Sequence, residues 1–91
     1  MNSGKKLTKK KNLLCERIDD KIFIVDVKNG RCVVYELNET ASIIWNLIGR
    51  EISANALKQK IRRKFNNKKK LINDAEEFVL ELSKRGLLII K

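Results

Sequence analysis

Asn29-Gly30 stands between two runs dense in β-branched residues, KIFIVDV (Lys21 to Val27) and RCVVYEL (Arg31 to Leu37). No other dipeptide of the chain constrains its fold as much. A two-residue type I′ turn needs positive φ at both central positions, which Asn and Gly adopt at little cost, and its twist suits an antiparallel pair. The spacing predicts a hairpin with Val27 opposite Cys32, Val25 opposite Val34 and Ile24 opposite Tyr35. One face then carries Ile22, Ile24, Val33, Tyr35 and Leu37, and the other Phe23, Val25, Val27, Cys32 and Val34. Both faces are largely apolar, whereas an antiparallel sheet with one side in water alternates more cleanly. Both are therefore expected to be covered, or one to meet a partner. LLCERI (Leu13 to Ile18) predicts one further short strand ahead of the hairpin.

The third strand feeds at once into a helix. Asn38 is a good N-cap for a helix from Glu39 to about Ile48, and Glu39 suits the positive end of its dipole. Ala41, Ile44, Trp45 and Ile48 fall at i, i+3, i+4 and i+7, so the one Trp reads as a core anchor. Ser53 caps a second helix, Ala54 to about Phe65, with Ile52 and Leu57 spaced as a hydrophobic staple. Asn66 to Lys70 reads as a loop. Asn73 with Glu76 resembles a capping box opening a third helix through Arg85, with Ala75, Phe78, Val79 and Leu82 inward. Gly86 ends it, and Leu87 to Ile90 form a closing strand or an apolar tail. Strands followed by helices define an α+β class: a three-stranded antiparallel sheet followed by three helices, in a winged helix-turn-helix-like order.

Ninety-one residues suit one domain,. Residues 1–12 carry five lysines and little to bury, and are expected to be a disordered basic tail ahead of a domain over 13–91. No run approaches a membrane span, and no apolar segment of signal-peptide type follows the N-terminal lysines, which predicts a cytoplasmic protein. Cys15 and Cys32 read as reduced thiols on strands. The chain has no His, and it has no phosphate-binding glycine loop or nucleophile elbow. The commonest general base and zinc ligand are missing, so neither an enzyme nor a cofactor or metal is expected.

Net charge is +10. The cations cluster at Lys5 to Lys11 and at Lys58 to Lys70, which either attract a polyanion or an acidic partner or are simply solvated surface. A nucleic-acid-binding winged helix is the alternative function. Its natural recognition helix would be the third, but Asp74, Glu76, Glu77 and Glu81 precede any base on it. Four carboxylates repel phosphates, which argues against specific nucleic-acid binding. On the same helix Leu80 lies about 160° from Leu82 at about 100° per residue. It is either an ordinary exposed Leu or part of a groove wall.

YELNETASIIWNLIG followed by FVLELSKRGLLII resembles the PqqD-like proteins, the recognition elements of pathways that modify ribosomally made peptides. The pattern is carried by Leu37, Asn38, Glu39, Thr40, Ala41, Ile44 and Trp45, then by Phe78, Val79, Leu82, Gly86, Leu87 and Leu88. The resemblance runs from about Leu13 to Ile90. It implies a non-catalytic domain that takes the leader segment of a precursor peptide as an added strand, in a groove closed by the third helix. A free-standing chain of this kind looks most like the discrete recognition protein of lasso-peptide biosynthesis, or the stand-alone partner of a radical enzyme as in pyrroloquinoline quinone synthesis. The partners implied are the leader peptide and a leader peptidase, cyclase or radical enzyme. The expected binding residues are Arg31, Cys32, Val33, Val34, Tyr35 and Glu36 on the edge strand, with Val79, Leu80 and Lys84 on the helix. Cys32 and Val34 facing Val79 and Leu80 would form the groove floor, with Tyr35 either at the rim or packed in the core. The basic surface, with Arg31, Lys84 and Arg85 near the groove, suits an acidic leader or an acidic enzyme. A subunit that only stabilises an acidic partner is a third reading.

Overall fold

The computed structural model describes residues 4–91. The chain runs β1 (Lys6–Lys9), β2 (Leu14–Ile18), β3 (Lys21–Lys28), β4 (Arg31–Leu37), α1 (Glu39–Ile48), β5 (Glu51–Ser53), α2 (Ala54–Lys64), α3 (Lys69–Lys84) and β6 (Leu88–Ile90). The strands form two three-stranded antiparallel sheets, β2-β3-β4 and β5-β1-β6. The first is the predicted hairpin sheet in the predicted register, with Val27 opposite Cys32 and Ile24 opposite Tyr35. Asn29 and Gly30 adopt φ of 50° and 76°, as the type I′ turn requires,.

The lysine-rich segment corrects one expectation. Residues 6–9 are not a mobile tail but the central strand of the second sheet, paired to β5 through Leu7 opposite Ile52 and to β6 through Leu7 opposite Ile90. Leu7 is fully buried. One apolar residue among lysines gives no period-2 signal. The strand exists because remote pieces supply both of its neighbours. Residues 1–3 of the expected tail lie outside the described residues.

Helix capping follows the sequence at two of three starts. Asn38 accepts from the Ala41 N–H at 2.8 Å and Ser53 from the Ala56 N–H at 3.1 Å,. The third helix begins at Lys69 rather than near Asn73, after Lys68 and without a side-chain cap. Asn66 and Asn67, at φ 52° and 59°, reverse the chain in two residues. Half-buried Leu71 and Ile72 then extend the apolar stripe backwards, which outweighs the missing cap,. At its far end Gly86 takes φ 76°, and the Leu87 N–H reaches back to the Leu82 carbonyl at 3.0 Å, so the chain turns directly into β6,.

The helices pack on the face of the first sheet that carries Ile22, Ile24 and Leu37. Ile44, Trp45, Ile48, Leu57, Val79 and Leu82 complete the core. Ser42 joins α1 to the sheet: its hydroxyl accepts from the Ile22 N–H at 2.9 Å and donates to the Leu37 carbonyl at 3.2 Å. Buried Asp26 ties in two connections. Its Oδ1 accepts from Lys10 at 2.6 Å, and Lys28 lies 3.7 Å from its Oδ2. Lys28 also donates to the Arg85 carbonyl at 2.8 Å, which pins the end of α3 to the hairpin.

Candidate peptide-binding site

The phase of the β3–β4 ladder decides which groups of β4 are free. The Ile22 N–H points towards β4, where Ser42 relays it to Leu37. Backbone direction alternates along a strand, so Ile24, Asp26 and Lys28 exchange bonds with Tyr35, Val33 and Arg31,. The N–H and C=O groups of Cys32, Val34 and Glu36 therefore point outward. Among the described residues β4 pairs with β3 alone. Its outer border is an open template for another strand.

Beside this border α3 forms one wall of a groove of about 220 Å³, lined by Tyr35, Glu36, Leu37, Phe78, Glu81, Leu82, Arg85 and Leu87. The Arg85 guanidinium lies 5.5 Å from the Tyr35 ring centroid and donates to Glu81 at 3.0 Å, which closes one end,. Through Phe78 and Glu81 the groove meets a second hollow of about 470 Å³ between α1 and α3, lined also by Asn38, Thr40, Asp74 and Glu77. The path is apolar at Tyr35, Leu37 and Phe78 and acidic at its α1 end. Among the described residues Asp74 and Glu77 have no ion-pair partner.

The expected binding residues separate into three groups. Arg31, Cys32, Val33, Val34, Tyr35 and Glu36 lie on the open strand. Of these, Tyr35 also lines the groove, where it is half-buried and packs against the core. The expected floor is corrected. Cys32 and Val34 share the sheet face opposite the helices, where Val34 is 60% exposed. Val79 is fully buried in the core, so it lines no groove. Leu80 is exposed and absent from the groove wall, because it lies about 160° round the helix from Leu82,. Lys84 is exposed and outside the groove lining, whereas Arg85, also expected near the groove, lines it.

Sequence reasoning placed Arg85 near the groove but missed that Phe78, Glu81 and Leu82 form one wall with it. Their i, i+3, i+4, i+7 spacing was the available signal, but part of that stripe read simply as core. The outer sheet face is uncovered, with Leu14, Ile18, Val27 and Val34 all more than half exposed. Both cysteines are free and exposed on separate strands, Cys15 on β2 and Cys32 on β4. No helix of the described residues is long and apolar enough to cross a membrane, and no group of three or more potential metal ligands occurs among them.

An open strand border facing a helix across an apolar floor defines a binding domain of winged-helix type. The family follows from the sequence of that domain. Residues 22–88 match the model of coenzyme PQQ synthesis protein D (PqqD), and the chain belongs to this family. Its members are non-catalytic recognition domains that bind a precursor peptide. No curated protein and no solved structure gives a match.

Proposed function

We propose that the chain captures the leader segment of a ribosomally made precursor by taking it as a strand along β4, and presents it to the leader peptidase, cyclase or radical enzyme of its pathway. Biosynthesis of a lasso peptide is the pathway we favour. The observation that carries the reading is the border at Cys32, Val34 and Glu36, unpaired among the described residues and directly beside the Tyr35–Phe78 groove.

The energetics say what the leader must bring. About six backbone hydrogen bonds at ~0.5–1.5 kcal/mol each are offset by ordering about six residues at ~1–2 kcal/mol each. Backbone pairing alone therefore gives no net affinity. Two or three apolar leader side chains, at ~1.5–3 kcal/mol each, must fill the groove. Alternate residues of an added strand face the helices, so these side chains should be spaced by two.

Charge modifies the expectation of an acidic leader. Asp74 and Glu77, unpaired among the described residues at the α1 end, favour a Lys or Arg in the leader there,. The same carboxylates disfavour nucleic acid on this face. Calorimetry with the leader of the precursor encoded beside the gene tests the reading. Binding in the micromolar range or tighter is expected, and a leader that fails to bind the folded protein would sink it.

A further inference from the structure

A second cavity, of about 600 Å³, lies at the opposite border of the sheet, where the β1–β2 connection passes between β2 and the end of α1. Lys9, Lys10, Lys11 and Arg50 surround it, with Cys15 and Trp45 on its wall. Lys10 is committed to Asp26. Lys9, Lys11 and Arg50 have no carboxylate partner among the described residues. The Lys9 ammonium sits 4.1 Å from the centroid of the buried Trp45 ring instead of extending into water. Burial lowers its pKa, and the nearby Cys15 acts in the opposite sense.

Two ordinary explanations fall short. A lysine at the surface normally keeps its ammonium in water, yet Lys9 is drawn over an indole. The carboxyl end of α1 amounts to about half a negative charge, which matches one cation at most and leaves the others uncompensated. The cavity is only partly built by the matched domain, which supplies Trp45, Gly49 and Arg50. Thr8, residues 9–13 and Cys15 all precede residues 22–88.

We propose that this cavity binds a polyvalent oxyanion, a group bearing phosphate or carboxylate oxygens, through Lys9, Lys11 and Arg50. The anion supplies the counter-charge the site lacks and ties the β1–β2 connection to the end of α1. The site is separate from the peptide groove, since β2 and β4 are the two borders of one sheet.

Cys15 is a built-in reporter, exposed on the cavity wall. In a Cys32→Ser background its reaction with a neutral disulfide, 4,4′-dithiodipyridine, is timed against rising inorganic pyrophosphate, tricarballylate or sodium chloride at matched ionic strength. Pyrophosphate, tricarballylate or both should slow the reaction to a plateau that sodium chloride does not reach. Which of them does so separates a phosphate from a carboxylate ligand. Arg50→Gln and Lys11→Gln should each raise the half-saturating concentration about tenfold, the loss of one charge-assisted contact. Both side chains are exposed, and near-ultraviolet dichroism of Trp45 checks that the fold is kept. Slowing that follows ionic strength alone, or half-saturation unmoved by both substitutions, overturns the proposal.

Discussion

The two sheets are built on the same hydrogen-bond ladder and serve opposite ends. The β2-β3-β4 sheet comes from one continuous stretch of chain, and among the described residues its outer strands β2 and β4 each pair on one side only. The β5-β1-β6 sheet is assembled from three remote segments, and its central strand buries Leu7 completely. The first presents the long strand β4 beside a groove; the second ties remote segments together around a buried leucine. Exposed β-branched side chains are therefore cheap to change in the first, and a single leucine is costly to change in the second. Leu7→Ala should lose about 2–5 kcal/mol of stability, the usual cost of truncating a buried leucine. Val34→Ala should change stability by less than about 0.5 kcal/mol. Urea denaturation of the two variants measures the contrast, and a Leu7→Ala protein as stable as wild type would break it.

Val34→Pro turns the same contrast on binding. It removes an outward N–H while the internal bonds of Val33 and Tyr35 stay in place, and proline is tolerated on edge strands. Its ring also obstructs the incoming strand, so leader affinity should fall about a hundredfold, near 3 kcal/mol, with helical dichroism kept. Undiminished affinity in calorimetry would mean that the leader does not use this border.

Legibility in the sequence divides along the same line. The hairpin sheet was readable because Asn29-Gly30 sets its register and both caps, Asn38 and Ser53, are local signals. The second sheet was not readable, because Leu7 becomes a strand residue only when Ile52 and Ile90 arrive from elsewhere. The open border could be inferred, but the groove floor could not. A hairpin register says which residues share a face, not which face the helices cover. Cys32 and Val34 were therefore placed facing α3, whereas Tyr35 and Leu37 hold that position. The start of α3 was displaced for a similar reason: two asparagines in left-handed conformation leave no mark that distinguishes a tight turn from a loop.

Within the groove, Phe78 and Leu80 sharpen the comparison on a single helix. Phe78 lines both hollows, and Leu80 lines neither. Phe78→Ala should weaken leader binding about tenfold, close to the burial of one apolar anchor. Leu80→Ala should leave binding unchanged and stability within about 0.5 kcal/mol. Equal losses at the two positions would show that the helix presents a different face to the peptide. Glu77→Lys carries a smaller effect, a few-fold loss for a leader with a cation at the α1 end, fading as salt rises over the physiological range. A leader that gains affinity from this change would reverse the assigned charge of that end.

The smallest effect belongs to the opposite border, and its sign is fixed by protonation. Lys9 has a folded pKa below the ordinary value of 10.5, because burial disfavours its ammonium,. Between that lowered value and 10.5 the unfolded chain binds more protons at this position than the folded protein does. Stability must then rise with pH across the window. At neutral pH the ammonium is present in both states and its desolvation counts against folding; as pH rises through the folded value that cost is relieved. Wild type should therefore gain stability relative to Lys9→Met as pH climbs from neutral towards 10.5. The gain is modest, since Lys9 is only half-buried and its contact with Trp45 favours the charged form,. An oxyanion seated in the cavity favours the ammonium too, so saturating pyrophosphate should move the gain to higher pH. A difference between the two proteins that stays flat over this window would show that the Lys9 ammonium is as well solvated as any surface lysine.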